Sequence, residues 1–149
     1  MKRMSVLAAI VAWTVAGAET ARADPAGSSW QLVFDDEFDG TDLDPNLWTI
    51  HTGARRDAIN TADAISVADG NLTITTYTSG GQHYTGFIST RSSFLGTFGY
   101  WEASIRFDDA SGMWSAFWMQ SPTMGNPIGD PATAGAEIDI VEHRSFAPQ

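Results

Sequence analysis

Three carboxylates set among β-branched apolar residues mark one stretch of this chain as a place where chemistry can occur: Gly135-Ala136-Glu137-Ile138-Asp139-Ile140-Val141-Glu142-His143. Acids this close raise one another's proton affinity and must shed water to pack, so the arrangement opposes folding and calls for a use. Two glutamates flanking a smaller acid suit cleavage of a glycosidic bond. One carboxylate attacks the anomeric carbon, and the other, held protonated, gives its proton to the departing oxygen. Asp139 would stand where it can share a proton with Glu137. The same spacing also fits an edge strand with solvated acids, or a cation site, so the surrounding elements have to decide.

The apolar spacing is that of a buried strand, whose side chains alternate between faces. Glu137, Asp139 and Val141 then share one face, and Ile138, Ile140 and Glu142 the other, which points Glu142 the wrong way. One extra residue near Ile140-Val141, held as a β-bulge, would bring Glu142 round to the face of Glu137 and Asp139, and bulges concentrate beside active sites. A second run, Met113 to Met119, places Trp114, Ala116 and Trp118 on one face and Met113, Ser115, Phe117 and Met119 on the other. Indole rings at that spacing make a platform for pyranose rings, or ordinary sandwich core. Likewise Tyr100, Glu102, Ser104 and Arg106 alternate with Trp101, Ala103, Ile105 and Phe107, giving a polar face that binds sugar hydroxyls or simply meets water.

Short alternating runs separated by Gly, Asp, Asn and Pro continue from Ser29 onward, the pattern of an antiparallel β-sandwich. Strands are expected at 31–34, 64–67, 71–77, 86–91, 99–107, 113–120 and 136–143, with no helix-period segment outside the N-terminal stretch. Asp69-Gly70-Asn71 reads as a tight hairpin turn; 79–81, 108–112 and 121–135 read as loops, the last long enough to form a functional rim. The acidic run 35–44 has acids at positions one, three and five of a calcium-loop pattern and glycine at six, but Asn46 at position twelve excludes an EF-hand. It reads as a solvated loop. His51, His83 and His143 are scattered, and there is no paired-histidine zinc motif, Gly-x-Ser-x-Gly elbow or phosphate-binding glycine loop.

With 149 residues, no cysteine, 43% hydrophobic and 11% aromatic content, the composition fits one globular domain with a real core. Residues 1–23 have a basic start (Lys2, Arg3), an apolar run from Val6 to Ala18 broken only by Thr14, and the small-x-small end Ala21-Arg22-Ala23. This is the form of a signal peptide cut after Ala23, with Ala18 as the second choice, and the run is shorter than the ~20 residues of a membrane span. A secreted or periplasmic bacterial protein is expected, with neither lipid anchor nor disulfide frame. Without this leader the chain keeps five arginines and no lysine against 17 acids, a net charge of −12. Such a field repels nucleic acid and anionic membranes and favours a neutral polymer as partner.

In order and spacing the chain resembles glycoside hydrolase family 16, in particular its laminarinase-like (endo-β-1,3-glucanase) members. The resemblance rests on Leu32-Val33-Phe34-Asp35-Asp36-Glu37-Phe38-Asp39-Gly40, Leu43-Asp44 to Trp48, Asp69-Gly70-Asn71-Leu72-Thr73-Ile74, Phe98-Gly99-Tyr100-Trp101-Glu102-Ala103, Gly112-Met113-Trp114-Ser115-Ala116-Phe117-Trp118 and Glu137-Ile138-Asp139-Ile140-Val141-Glu142. It implies an all-β fold, a concanavalin-like β-jelly-roll sandwich of two curved antiparallel sheets. It also implies Glu137 as nucleophile, Glu142 as acid/base and Asp139 as their modulator, with Trp114, Trp118 and Glu102 lining donor subsites and Asn60 matching a cleft asparagine. Glu102-Ala103-Ser104 stands where many relatives have Glu-x-Arg, so Arg106 would replace that arginine. The family's structural calcium would draw on Glu37 and Gly70, and no cofactor is required for the reaction. The family domain needs roughly a hundred residues after Glu142, in the range of large sandwiches, so 24–149 is expected to be its N-terminal portion, truncated at the C-terminus, and the full-length protein a monomer.

The function implied is retaining endo-hydrolysis of neutral β-1,3- or β-1,3/1,4-glucan. A β-galactanase of the agarase or carrageenase sort, or a transglycosylase, would share the fold. From another class, a non-catalytic carbohydrate-binding module would use the tryptophan face and have no need of Glu137 and Glu142 at this spacing.

Overall fold

In the computed structural model, which describes Met4–Ala9 and residues 30–145, the alternating runs become ten strands among the described residues. They are β1 (Met4–Ala9), β2 (Thr49–Ile50), β3 (Gly53–Arg55), β4 (Ala58–Asn60), β5 (Ile65–Ala68), β6 (Asn71–Ser79), β7 (Gln82–Thr85), β8 (Ile88–Ser89), β9 (Trp114–Gln120) and β10 (Glu137–Arg144). Among the described residues helix is confined to a 3-10 turn at Ala62–Ala64 and one α-turn, α1 (Pro131–Ala134). The all-β class read from the pattern holds. By contacts the chain divides into two compact units, Met1–Arg106 and Phe107–Gln149.

The first unit is built on a sheet with the strand order β1-β6-β7-β4-β3, and β5 also pairs with β6. Two tight turns set its register. Asp69 and Gly70 both take positive φ, 53° and 71°, and close the β5–β6 hairpin with Ala68 opposite Asn71. Gly80 and Gly81, at 60° and 80°, do the same between Ser79 and Gln82. Positive φ at both central residues matches the twist of the flanking strands, which is why Asp-Gly and Gly-Gly appear there. One pairing departs from the expected antiparallel plan: β4 runs parallel to β7, with Ile59 opposite Tyr84. The chain leaves β4, completes the whole β5–β6 hairpin, and returns alongside in the same direction.

Phe38, Val67 and Leu72 are the buried centre of this unit, with Leu43, Trp48, Ile65, Ile74 and Ile88 packed around them. The acidic run before them is partly structural. Asp36 accepts hydrogen bonds at 2.8 Å from the Phe38 backbone N–H and from Trp48 Nε1. The first holds Phe38 at φ 55°, and the second ties the run to a tryptophan twelve residues on.

Two expected strands are absent. Residues 31–34 form no ladder, and 99–107 show only an isolated bridge at Arg106. Alternation records which face is apolar, but a strand also needs a neighbour for its backbone N–H and C=O groups. Instead Phe34 is held by rings, 5.6 Å from Trp48 and 5.2 Å from Phe94. The strand expected at 86–91 contracts to β8, paired with β2. Of the stretch read as a leader, β1 pairs with β6, Met4 opposite Thr76; residues 1–3 and 10–23 lie outside the described residues, as does the cleavage position after Ala23. No helix among the described residues is long and apolar enough to cross a membrane.

Candidate active site

The acid strand and the tryptophan strand are neighbours. In the second unit β10 pairs antiparallel with β9, Glu137 opposite Gln120, Ile138 opposite Met119 and Asp139 opposite Trp118. The register then shifts: Val141 faces Phe117 and Glu142 faces Ala116, so Ile140 is an extra residue with no partner across the pair. Residues directly opposite in an antiparallel pair share a face. One face therefore carries Glu137, Asp139, Glu142 and Arg144 together with Trp114, Ala116, Trp118 and Gln120. Ile138, Val141 and His143 lie on the other with Ser115, Phe117 and Met119. The bulge demanded by simple alternation is present, and it puts all three acids on the tryptophan face.

That face is open. Glu137, Asp139, Glu142 and Trp114 are all exposed and Trp118 is half-buried; behind them Ser115, Phe117, Met119, Val141 and His143 are half-buried, while Ile138 at the strand start is exposed. On the covered side His143 stacks on Phe107, ring centroids 5.0 Å apart, and its Nε2 lies 3.4 Å from Asp109. Gly112 N–H donates to the Ser145 carbonyl and Ser145 N–H to the Met113 carbonyl, pinning the loop before β9 to the end of β10. At the other end Ser121 N–H donates to the Ala136 carbonyl, and Thr123 Oγ1 donates to the carbonyl of Ala134 at the end of α1. The acid strand is thus tied at both ends while its acid side chains stay accessible.

Glu142 is the most closely held of the three acids. Trp114 Nε1–H donates to its Oε1 at 2.7 Å, and an Arg144 guanidinium nitrogen lies 3.4 Å from the same oxygen. Arg144 in turn stacks over the Trp114 ring, its Cζ 3.7 Å from the centroid. Arg144 was not singled out from the sequence. The signal was available, since the bulge that turns Glu142 also carries the residue two positions on to the same face.

The remaining sequence-derived residues belong to the first unit. Asn60 ends β4 and is buried at 6% exposure, opposite Gly53 and Thr85. Glu102 lies outside any strand and accepts a hydrogen bond from the Tyr100 hydroxyl, which raises the Tyr100 pKa. Arg106 is exposed at its isolated bridge. His51 stacks on Phe87 at 4.3 Å and shares a 2.8 Å hydrogen bond with Ser89 Oγ; burial, then the charges of Arg91 and Arg55, hold its pKa below the ordinary value.

For the expected calcium pair, a Cβ built on Gly70 would come within 3.9 Å of both the Glu37 carbonyl oxygen and an Asp39 carboxylate oxygen. Gly70 and Glu37 are therefore adjacent, with hard oxygen donors at hand. Calcium takes six to eight such oxygens, and among the described residues no cluster of three or more His, Cys, Asp or Glu side chains is placed to hold a metal. Backbone carbonyls would have to supply much of the shell.

An all-β chain with acids and tryptophans on one strand-pair face has the layout of a protein that handles carbohydrate. Residues 52–147 match the glycosyl hydrolases family 16 profile, and the chain belongs to that family, whose jelly-roll β-sandwich is the fold read from the sequence. It is similar to endo-1,3-1,4-beta-glycanase EglC of Rhizobium meliloti (strain 1021), 36% identical over 96 residues, covering 58% of this chain and 19% of that protein. It is also similar to glucan endo-1,3-beta-glucosidase A1 of Niallia circulans, 25% identical over 150 residues, covering 84% of this chain and 22% of that protein. The chain thus spans about a fifth of the length of these relatives. No solved structure matches it significantly.

Proposed function

We propose that the protein is an exported, retaining endo-β-glycosidase acting on neutral β-1,3- or mixed β-1,3/1,4-glucan. The observation that carries this reading is the register of the acid strand, in which the bulge at Ile140 sets Glu142 beside Glu137 and Asp139 on the tryptophan face. In the first step Glu137 attacks the anomeric carbon while Glu142 gives its proton to the glycosidic oxygen. The C–O bond breaks, a glycosyl ester forms on Glu137, and Glu142 is left ionised. In the second step Glu142 takes a proton from water, whose oxygen adds at the anomeric carbon, and the ester bond to Glu137 breaks. Both carboxyls return to their starting states. Asp139, between them on the same face, shares a proton with Glu137 when its carboxylate is free.

Trp118, directly opposite Asp139, is the stacking platform for a pyranose ring. The names of the similar proteins specify 1,3 and 1,3-1,4 β-linkages, and the acidic balance of the chain suits an uncharged polymer. The reaction needs no redox cofactor, and a calcium ion near Glu37 and Gly70 would act on the fold alone. Proton NMR of the first products from β-glucan tests the double displacement: the β-anomer is expected to form first. Initial release of the α-anomer overturns the assignment of Glu137 as nucleophile.

A further inference from the structure

A general acid must present its proton on a defined oxygen in a defined direction, and the surroundings of Glu142 choose between its two oxygens. Both neighbouring donors, Trp114 Nε1–H at 2.7 Å and the Arg144 guanidinium at 3.4 Å, converge on Oε1. An oxygen that accepts two N–H bonds is a poor place for the carboxyl proton, because an O–H there would meet two other hydrogens. We infer that Trp114 and Arg144 are positioning residues that lock the Glu142 carboxyl so that Oε2 carries and transfers the proton. The inference rests on Glu142 being the acid/base, as proposed above.

The lock is built from β9 and β10 together. Arg144 sits two residues after Glu142 on the same face, directly opposite Trp114, and its guanidinium lies over the indole, Cζ 3.7 Å from the ring centroid. The stack fixes the plane of the ring and so aims its N–H at Glu142, while the guanidinium reaches the same oxygen itself. One face of the Trp114 indole is covered in this arrangement, so sugar stacking passes to Trp118 and the role of Trp114 is exercised through its N–H. In the first step Oε2–H is donated to the leaving oxygen; in the second, Oε2 accepts the proton of the incoming water while Oε1 keeps both its donors.

The test uses the intact protein with two aryl β-laminaribiosides, one releasing phenol and one releasing 2,4-dinitrophenol. General acid catalysis is worth about 10²–10⁴-fold, and only the poor leaving group needs it. Trp114→Phe, which keeps the ring and removes the N–H, is expected to lower kcat/KM about 10–100-fold on the phenyl substrate and less than about 3-fold on the dinitrophenyl one. Arg144→Gln, at a side chain 44% exposed, should follow the same pattern more weakly, and Arg144→Lys should not restore the wild type, because an ammonium cannot stack as a planar guanidinium does. Equal losses on both substrates, or none on either, overturn the lock. Glu142→Ala run in parallel separates the two levels. A steep leaving-group dependence there with none in Trp114→Phe and Arg144→Gln sinks the lock alone, while a flat response in Glu142→Ala sinks the acid/base assignment and the lock with it.

Discussion

Replacing Asp36 with alanine tests how the acidic run is used. Its carboxylate accepts two hydrogen bonds at 2.8 Å, from Phe38 N–H and Trp48 Nε1–H, both partly buried and both to a charged acceptor. Such bonds contribute about 1.5–3 kcal/mol each, and partial access of water favours the lower end. The Phe38 bond also steadies a residue at positive φ, a conformation that costs roughly 1 kcal/mol or more. Asp36→Ala should therefore destabilise by about 3 kcal/mol. At a urea slope of about 2 kcal/mol/M this lowers the midpoint by about 1.5 M with the slope unchanged. Asp36→Asn keeps the shape but turns an amide N–H toward one of the two donors, so it should lose at least half as much. Asp42→Ala, whose carboxylate takes only an exposed bond from Thr41, should stay within about 0.5 kcal/mol of wild type. If Asp36→Ala also falls within that range, the carboxylate is solvated and does not hold Phe38 and Trp48.

The bulge makes a length prediction. Deleting Ile140 restores simple alternation and leaves Glu142 on the acid face, so activity should stay well above that of Glu142→Ala; an alanine inserted after Val141 turns Glu142 to the back face and should reduce turnover to the Glu142→Ala level. Packing is tested by Gly86→Ala, whose new methyl would lie 2.7 Å from Ile65 Cγ1 and 3.0 Å from Ile74 Cγ2, and about 1–3 kcal/mol of lost stability is expected in urea unfolding. His51 gives a pH prediction. Its folded pKa lies below 6.5, mainly through burial, then Arg91 and Arg55. The unfolded chain therefore binds more protons in the window below 6.5, and stability is lost as pH falls through it. Melting curves at about pH 7 and pH 5.5 should show a smaller difference in His51→Gln than in wild type; an unchanged difference refutes the assignment.

The acid strand was legible because its own pattern contained a contradiction. Alternation put Glu142 on the wrong face, and only an inserted residue resolved it, so the bulge followed from local geometry before any partner strand was known. The Asp69-Gly70 turn was legible for the same reason, since its conformation is a property of two residues. What failed was non-local. Residues 31–34 and 99–107 alternate like strands, but alternation names no partner, and of their backbone only Arg106 forms an isolated bridge. β2, β3, β4 and β7 span two to four residues, too few for a period of two to stand out. The single turn of α1 is likewise too short for a helical period. Asp36 looked like one acid among many because its partner Trp48 lies twelve positions away. Nothing in its own type and position marks Arg144, because its two contacts, to Glu142 and across the strand pair to Trp114, exist only once β9 and β10 are paired.

The assignment of Glu137 and Glu142 is tested most directly by azide rescue of the two alanine variants. With Glu137 removed, azide can enter in place of the nucleophile and yield the α-glycosyl azide; with Glu142 removed, azide attacks the intact Glu137 ester and yields the β-glycosyl azide. An activated aryl β-laminaribioside as substrate and NMR of the isolated azide give the anomeric configuration without ambiguity. α-Azide from Glu137→Ala and β-azide from Glu142→Ala are the expected pair. The reverse pairing means that the two roles are exchanged, and wild-type turnover in both variants would show that neither carboxylate takes part in catalysis.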